Sequence, residues 1–178
     1  MPAAFRRCSP IALRSAFSAA LALVLLASCG SAGSGGATVS PSPSASARSI
    51  AFTEVASTSQ ARQAPGVSLA VGATAALRAT IAQQVPGATA PAGRVTVAVF
   101  QGQKTTGGYA VRVNAIERRG DELIVRATFG TPGPDAIVTQ VLTSPAHVVS
   151  IASADATGLS VAILVDDGGR EVARTSVS

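Results

Sequence analysis

The side chains of this sequence that could carry out acid–base or nucleophilic chemistry are few. His147 is the single histidine, so a Ser-His-Asp apparatus would have to use it, together with Asp155, Asp166 or Asp167. No GxSxG-type turn places a serine for such a role. A lone histidine flanked by valines in a predicted strand is expected to face solvent. The sequence therefore predicts a protein that is not an enzyme.

Metal and cofactor sites are not expected either. Apart from His147, the only soft metal ligands are Cys8 and Cys29, and these cannot form a Cys/His cluster with zinc-site spacing. No glycine-rich loop stands before a helix in the way that a phosphate cradle requires. We predict neither a metal nor a cofactor.

More than half of the net positive charge of the chain comes from three arginines near its beginning. The formal net charge is +5, but Arg6, Arg7 and Arg14 lie in a segment that we expect to be removed, which would leave 11 basic against 9 acidic residues, or +2. Aromatic residues, which stack on bases in nucleic-acid sites, make up only 3% of the sequence. Nucleic-acid binding is therefore not predicted.

Residues 1–28 have the three-part layout of a secretory signal, with a basic start, an apolar run over residues 16–27 and small residues after it. The apolar run is shorter than the roughly 20 residues that a membrane-spanning helix needs. Leu26-Ala27-Ser28-Cys29 resembles the bacterial lipobox, in which the cysteine receives lipid and becomes the new N-terminus. We expect lipid anchoring at Cys29; an ordinary cleavable signal with a chance cysteine is the alternative.

The segment after the lipobox is low in large apolar side chains. Residues 30–48 consist almost entirely of Gly, Ser, Ala, Thr and Pro, so they bury too little to offset the entropy of ordering. We interpret residues 29–48 as the lipidated cysteine with a flexible linker whose root-mean-square reach is roughly 25 Å. Residues 49–178 are then a folded domain in the bacterial cell envelope, on the extracytoplasmic side of a membrane.

From residue 49 onward, alternation of β-branched and polar residues predicts strands. A helix is predicted over residues 73–85, where Leu77, Ile81 and Val85 share one face and Pro-Gly follows. The Gly-Asp at 120–121 favours a hairpin turn. Strands are predicted at residues 50–55, 67–71, 94–100, 109–116, 123–125, 136–141, 147–151, 159–165 and 171–177.

These elements predict a mainly β, β-rich α+β fold: an antiparallel sheet or small sandwich of hairpins with one packed helix. Consecutive strands are expected to pair through tight turns, including residues 136–141 with 147–151 around Thr143-Ser144-Pro145. Asp166-Asp167-Gly168-Gly169 favours a hairpin between the last two strands, because glycine accepts positive φ.

Two loops are candidates for binding, because loops at strand ends commonly carry function. The first is Thr105-Thr106-Gly107-Gly108-Tyr109, in which the glycines permit a tight turn and the threonine hydroxyls can bond to local amides. The second is Thr143, Ser144 and Pro145. The alternative for the first loop is a connection that serves topology alone.

The order of motifs in this region resembles a known family. The run from Val97 to Val111, Pro132-Gly133-Pro134, and the segments Val138 to Pro145 and His147 to Ile151 are similar to the C-terminal domain of PrcB, a subunit of a bacterial protease complex. The resemblance covers about residues 94–151. It implies an exported, often lipid-anchored accessory protein that associates with and stabilises a partner protease without chemistry of its own.

Two functions remain open at this point. The first is a lipid-anchored, extracytoplasmic, non-catalytic interaction module that binds or stabilises a partner protease or envelope complex. The second is a protease inhibitor, since residues 105–109 faintly resemble a loop of chagasin-like cysteine-protease inhibitors, in which loops at one end of a β-sandwich plug the active cleft. The tryptophan that such inhibitors use is absent from the sequence.

Overall fold

The structure, a computed structural model, describes residues 46–62 and 66–177. The predicted leader, Cys29 and most of the linker lie outside these residues. The described elements, in chain order, are β1 Arg48–Ile50, β2 Phe52–Thr58, β3 Ser68–Gly72, α1 Ala75–Gln84, β4 Arg94–Phe100, β5 Ala110–Arg119, β6 Glu122–Gly130, β7 Ala146–Ala152, α2 Ser153–Ala156, β8 Val161–Val165 and β9 Glu171–Ser176.

The strands form two sheets, which confirms the predicted mainly β, α+β class with one main helix. The five-stranded sheet has the order β1-β5-β6-β8-β9, and the four-stranded sheet has the order β2-β7-β4-β3. The prediction of one strand over residues 50–55 was wrong in one respect. The strand is interrupted at Ala51, so that β1 joins one sheet and β2 joins the other.

One strand pair differs from the predicted antiparallel arrangement. β6 and β8 are parallel, in register from Glu122 opposite Val161 to Arg126 opposite Val165. Between them the chain passes through β7 of the other sheet and then returns through α2. Such a crossover lets β8 enter the five-stranded sheet in the same direction as β6. The predicted hairpins β5–β6 and β8–β9 are present, and Gly120 takes φ +61° in the first turn.

The two sheets enclose the main core, which is built of small aliphatic side chains. Val97 and Val99 of β4, Val125 of β6 and Leu164 of β8 are fully buried in it. A second core, which includes the fully buried Phe100, lies between the four-stranded sheet and α1. At roughly 25 cal/mol per Å² of apolar surface removed from water, such burial is the main stabilising term.

Helix α1 follows the predicted pattern in part. The Thr74 side chain accepts a hydrogen bond from the Leu77 backbone N–H at 3.3 Å and so caps the helix start. Ile81 and Val85 are buried as predicted, whereas Leu77 is 36% exposed. Within residues 46–62 and 66–177, no helix is long and apolar enough to cross a membrane.

The predicted strand at residues 136–141 is absent. These residues belong to an irregular connection between β6 and β7, in which Ile137 is fully exposed. The physical reason lies in β7, which already pairs with β2 on one side and β4 on the other. A strand with two partners has no free edge, so residues 136–141 cannot form the predicted hairpin with it.

Candidate interaction site

Two connections cross from one sheet to the other at the same end of the domain. The β4–β5 loop, residues 101–109, leaves the four-stranded sheet and enters the five-stranded sheet. The β6–β7 segment, residues 131–145, runs in the opposite sense between the same two sheets. Both candidate loops from the sequence therefore lie on neighbouring crossovers.

Backbone hydrogen bonds fasten these two crossovers to one another. Lys104 and Thr143 exchange a pair of them, with N···O distances of 2.7 and 2.9 Å. The Gln101 N–H donates to the Pro145 carbonyl at 2.9 Å, and the Gly107 N–H donates to the Thr139 carbonyl at 2.9 Å. The two candidate loops are thus brought together into one short, irregular ladder.

The second candidate loop is the inner member of this ladder. Thr143, Ser144 and Pro145 are all buried. The Ser144 N–H donates to the Ser59 carbonyl at 2.7 Å, and the Ala61 N–H donates to the Ser144 carbonyl at 2.9 Å. These residues therefore hold the two crossovers together, while the preceding residues Val141 and Leu142 are exposed.

Two glycines allow the close approach of the crossovers. A Cβ on Gly107 would lie 2.6 Å from Thr139 Oγ1. Gly108 has φ +84°, and its Cβ would lie 3.1 Å from both Pro132 Cβ and Val138 Cγ1. Only glycine combines this backbone angle with the missing side chain at low energy. Gly108 is therefore required by its backbone angle and its packing, whereas the near atom at Gly107 is the end of the exposed Thr139 side chain.

The rest of the first loop is more open. Thr105 and Gly108 are exposed, and Thr106 and Tyr109 are half-buried. The Thr143 hydroxyl donates to the Thr106 carbonyl at 2.8 Å, which orients the loop. Lys104 Nζ lies 5.4 Å from the Tyr109 ring centroid, within the range of a cation–π interaction.

Sequence reasoning did not identify the exposed apolar residues of the β6–β7 segment. Ile137, Val141 and Leu142 are large aliphatic side chains that face solvent. Ile137 and Val141 lie in the predicted strand at residues 136–141, in which alternate residues would be buried, and Leu142 directly follows it. We call the exposed residues Thr105, Gly108, Ile137, Val141 and Leu142 the end surface.

Two grooves adjoin the ladder. One, of about 330 Å³, is lined by Leu142, Gln103 and Ser144, and the buried Ser144 hydroxyl has no hydrogen-bond partner among the described residues. The other, of about 440 Å³, is lined by Lys104, Gln101 and residues of the β8–β9 turn, among them Asp166. Hydrogen bonding from the Arg170 backbone N–H, and pairing with its guanidinium, lower the pKa of Asp166 below its ordinary value.

His147 does not face solvent, contrary to the prediction; it is 3% exposed. Its Nδ1 accepts a hydrogen bond from the Val113 backbone N–H at 3.1 Å, and its Nε2 lies 3.3 Å from Glu54 Oε2. An acceptor nitrogen carries no proton, so the proton of the neutral ring is on Nε2. The imidazole thus links β7 of one sheet to β5 of the other. Among the described residues, no group of His, Cys, Asp and Glu side chains is arranged to hold a metal ion.

The fold and its end loops define the class of domain: a β-rich, two-sheet domain in which backbone hydrogen bonds join the two crossovers at one end. Within it, residues 95–152 match the family model described as PrcB C-terminal. The match confirms the resemblance seen in the sequence, spans β4 to β7 and includes both candidate loops. The family suggests a domain associated with a protease complex. No curated protein and no solved structure matches the chain significantly.

Replacing Gly108 with alanine tests the close approach of the crossovers. We expect the free energy of unfolding to fall by about 1–3 kcal/mol, because alanine would be strained at this φ and would press on Pro132 and Val138. Urea unfolding measures the change. Gly133→Ala is the matched control, since its added Cβ would lie within 4 Å of no atom of the described residues beyond its chain neighbours. Equal effects at the two positions would contradict this account.

Replacing His147 with leucine tests the link between the sheets. The variant leaves the buried Val113 N–H without its acceptor, and we expect a loss of about 1–3 kcal/mol in unfolding free energy. Glu54→Gln is the control, because the Glu54 side chain is 56% exposed and its pairing with His147 should contribute little. A leucine variant as stable as the wild type would show that this hydrogen bond does not stabilise the fold.

Proposed function

We propose that the protein is a lipid-anchored, extracytoplasmic, non-catalytic interaction module that binds or stabilises a partner protease or an envelope complex. The observation that carries the proposal is the end surface: exposed aliphatic side chains on a segment that backbone bonds fasten to the PrcB-like loop. Exposed apolar surface on a folded domain commonly marks a protein interaction site.

The geometry of the end surface suits recognition of another protein. Ile137 is fully exposed, and Val141 and Leu142 are each about half exposed, so each has apolar surface left to bury. Because the segment is tied to Lys104 and Gly107 through the main chain, little further ordering is needed on binding. Removal of these aliphatic side chains from water would be the favourable term on binding.

The absence of catalysis is part of the proposal. His147, the one imidazole that a Ser-His-Asp apparatus could use, is committed at Nδ1 to a backbone N–H and is buried between the sheets. A general base needs a free nitrogen within hydrogen-bond reach of the proton that it removes. The end surface exposes aliphatic side chains, the Thr105 hydroxyl and backbone atoms, and none of these groups is such a base.

The anchor rests on the sequence of the leader. Lipid on Cys29, followed by a Gly/Ser/Pro linker, would hold the domain within reach of membrane proteins. Replacing Cys29 with serine removes the acceptor thiol, so we expect the protein to move from the detergent phase to the aqueous phase on phase separation. Cys8→Ser should leave partitioning unchanged. A mature N-terminus without lipid, read by mass spectrometry, would contradict the anchor.

Replacing Ile137 with aspartate tests the end surface. Crosslinking in living cells, followed by purification and mass spectrometry, should recover a protease or another envelope protein with the wild type. We expect recovery to fall about tenfold with Ile137→Asp, because the charge would have to be buried at the interface. Thr89→Asp is the control, since Thr89 is exposed and lies in the loop that precedes β4, at the end of that strand opposite the β4–β5 loop.

Stability should be the same for both aspartate variants, because each position is exposed. Equal recovery with the two variants would overturn the role of the end surface.

The protease-inhibitor alternative is favoured by one observation, the convergence of both candidate loops at one end of a two-sheet body. Stoichiometric inhibition of a papain-like protease that Ile137→Asp abolishes would establish that alternative.

A further inference from the structure

The groove beside the β8–β9 turn has one fully buried residue among its described lining residues. Its volume of about 440 Å³ lies within the range of protein ligand pockets. Gln101, the first residue after β4, is 3% exposed, whereas the other described residues of the lining are half-buried or exposed. Gln101 therefore lies at the floor of this groove, which we call the Gln101 groove.

One polar atom of the Gln101 side chain has no partner among the described residues. The amide Nε2 donates a hydrogen bond to the Gly130 carbonyl at 3.0 Å, which fixes the orientation of the side chain. The amide Oε1 is buried and accepts no hydrogen bond from any described residue. A buried acceptor without a donor is unfavourable, so a ligand N–H group that reaches Oε1 would gain a hydrogen bond that the protein itself does not supply.

Four charged side chains are described in the lining of this groove, and three of them already have partners. Asp166 forms an ion pair with Arg170, with 3.0 Å between Oδ2 and Nη2. Asp167 Oδ1 accepts a hydrogen bond from the Thr128 hydroxyl at 2.7 Å. Lys104, the fourth, forms no ion pair with a described carboxylate. The ammonium group of Lys104 is therefore the charge that a ligand could still pair with, and it calls for an anionic group.

The apolar part of the groove comes from both sides of the five-stranded sheet order. Phe129, near the end of β6, and Val172, in β9, are half-buried and line the groove. Both also pack against the main core, which holds them in place. Their remaining exposed surface would be removed from water by an apolar ligand group, which favours binding.

We propose that the Gln101 groove binds the free carboxyl terminus of a partner polypeptide whose last side chain is apolar. The carboxylate would pair with Lys104, and the last amide N–H would donate to Gln101 Oε1. The last side chain would contact Phe129 and Val172. The groove is large enough for a drug-sized ligand, so it also has room for the preceding residue, which favours a peptide end over a single amino acid.

The position of Lys104 is fixed by the main chain. Its backbone N–H and carbonyl both bond to Thr143, so the loop that carries the ammonium group is already ordered before a ligand binds. None of the five residues of the end surface is among the described residues of the groove lining. Failure of peptide binding in the groove would therefore leave the proposed function of the end surface intact.

The test uses the purified protein labelled with ¹⁵N and the tripeptide acetyl-Thr-Ala-Leu with a free carboxylate. We expect saturable shifts of the Gln101 side-chain amide and of the Phe129 and Val172 backbone amides. The same peptide with a carboxamide end should bind about tenfold more weakly, because it lacks the charge that pairs with Lys104. A depsipeptide in which an ester oxygen replaces the last N–H should also bind about tenfold more weakly, because it cannot donate to Gln101 Oε1.

Lys104→Met removes the ammonium group but keeps the backbone bonds to Thr143, so this variant should bind the acid and the carboxamide equally. Arg119→Met is the control, because Arg119 is exposed at the β5–β6 turn and is not among the described residues of the groove lining. This variant should keep the preference for the acid. Circular dichroism checks that both variants fold.

Several results would overturn the proposal. These are the absence of saturable shifts at millimolar peptide, shifts confined to residues outside the groove, and equal binding of the acid, the carboxamide and the depsipeptide by the wild type. A preference for the acid that persists in Lys104→Met would remove the assigned ion pair. Binding of N-acetyl-leucine as tight as that of the tripeptide would assign the groove to a small molecule and overturn its assignment to a peptide end.

Discussion

Burial of small aliphatic side chains between the two sheets is the interaction on which the rest of this structure depends. Within the described residues the main core consists of valine, isoleucine, leucine and alanine, with aromatic residues only at its margin. Such side chains bury little area each, so many must be enclosed at once. Two sheets packed face to face achieve this, and the chain must then cross between them repeatedly. The positions of those crossings decide where the domain has irregular backbone.

Irregular backbone near a core needs hydrogen-bond partners, and here the crossovers supply them to one another. The ladder between Lys104 and Thr143, and the bonds of Ser144 to Ser59 and Ala61, satisfy main-chain groups that no sheet reaches. His147 serves the same purpose for the Val113 N–H. The His147 imidazole, which the sequence offered as the one candidate for acid–base chemistry, thus completes the backbone hydrogen bonding. At that end Ile137, Val141 and Leu142 are exposed beside polar residues of the same connections, among them Gln103, Asp135 and Gln140.

Local patterns in the sequence determined the element types, the β5–β6 and β8–β9 hairpins, most of α1 and the family resemblance, because period, turn residues and caps act over a few neighbours. The Gly-Gly pair in the sequence also indicated a tight turn, and Gly108 has the positive φ that such a turn uses. Tertiary structure alone decided that the chain breaks at Ala51, that β6 and β8 are parallel, that residues 136–141 are not a strand and that His147 is buried. These features depend on which strands lie beside each other. β7 accepts partners on both sides, and no periodicity in residues 136–141 could reveal that its edges were already taken.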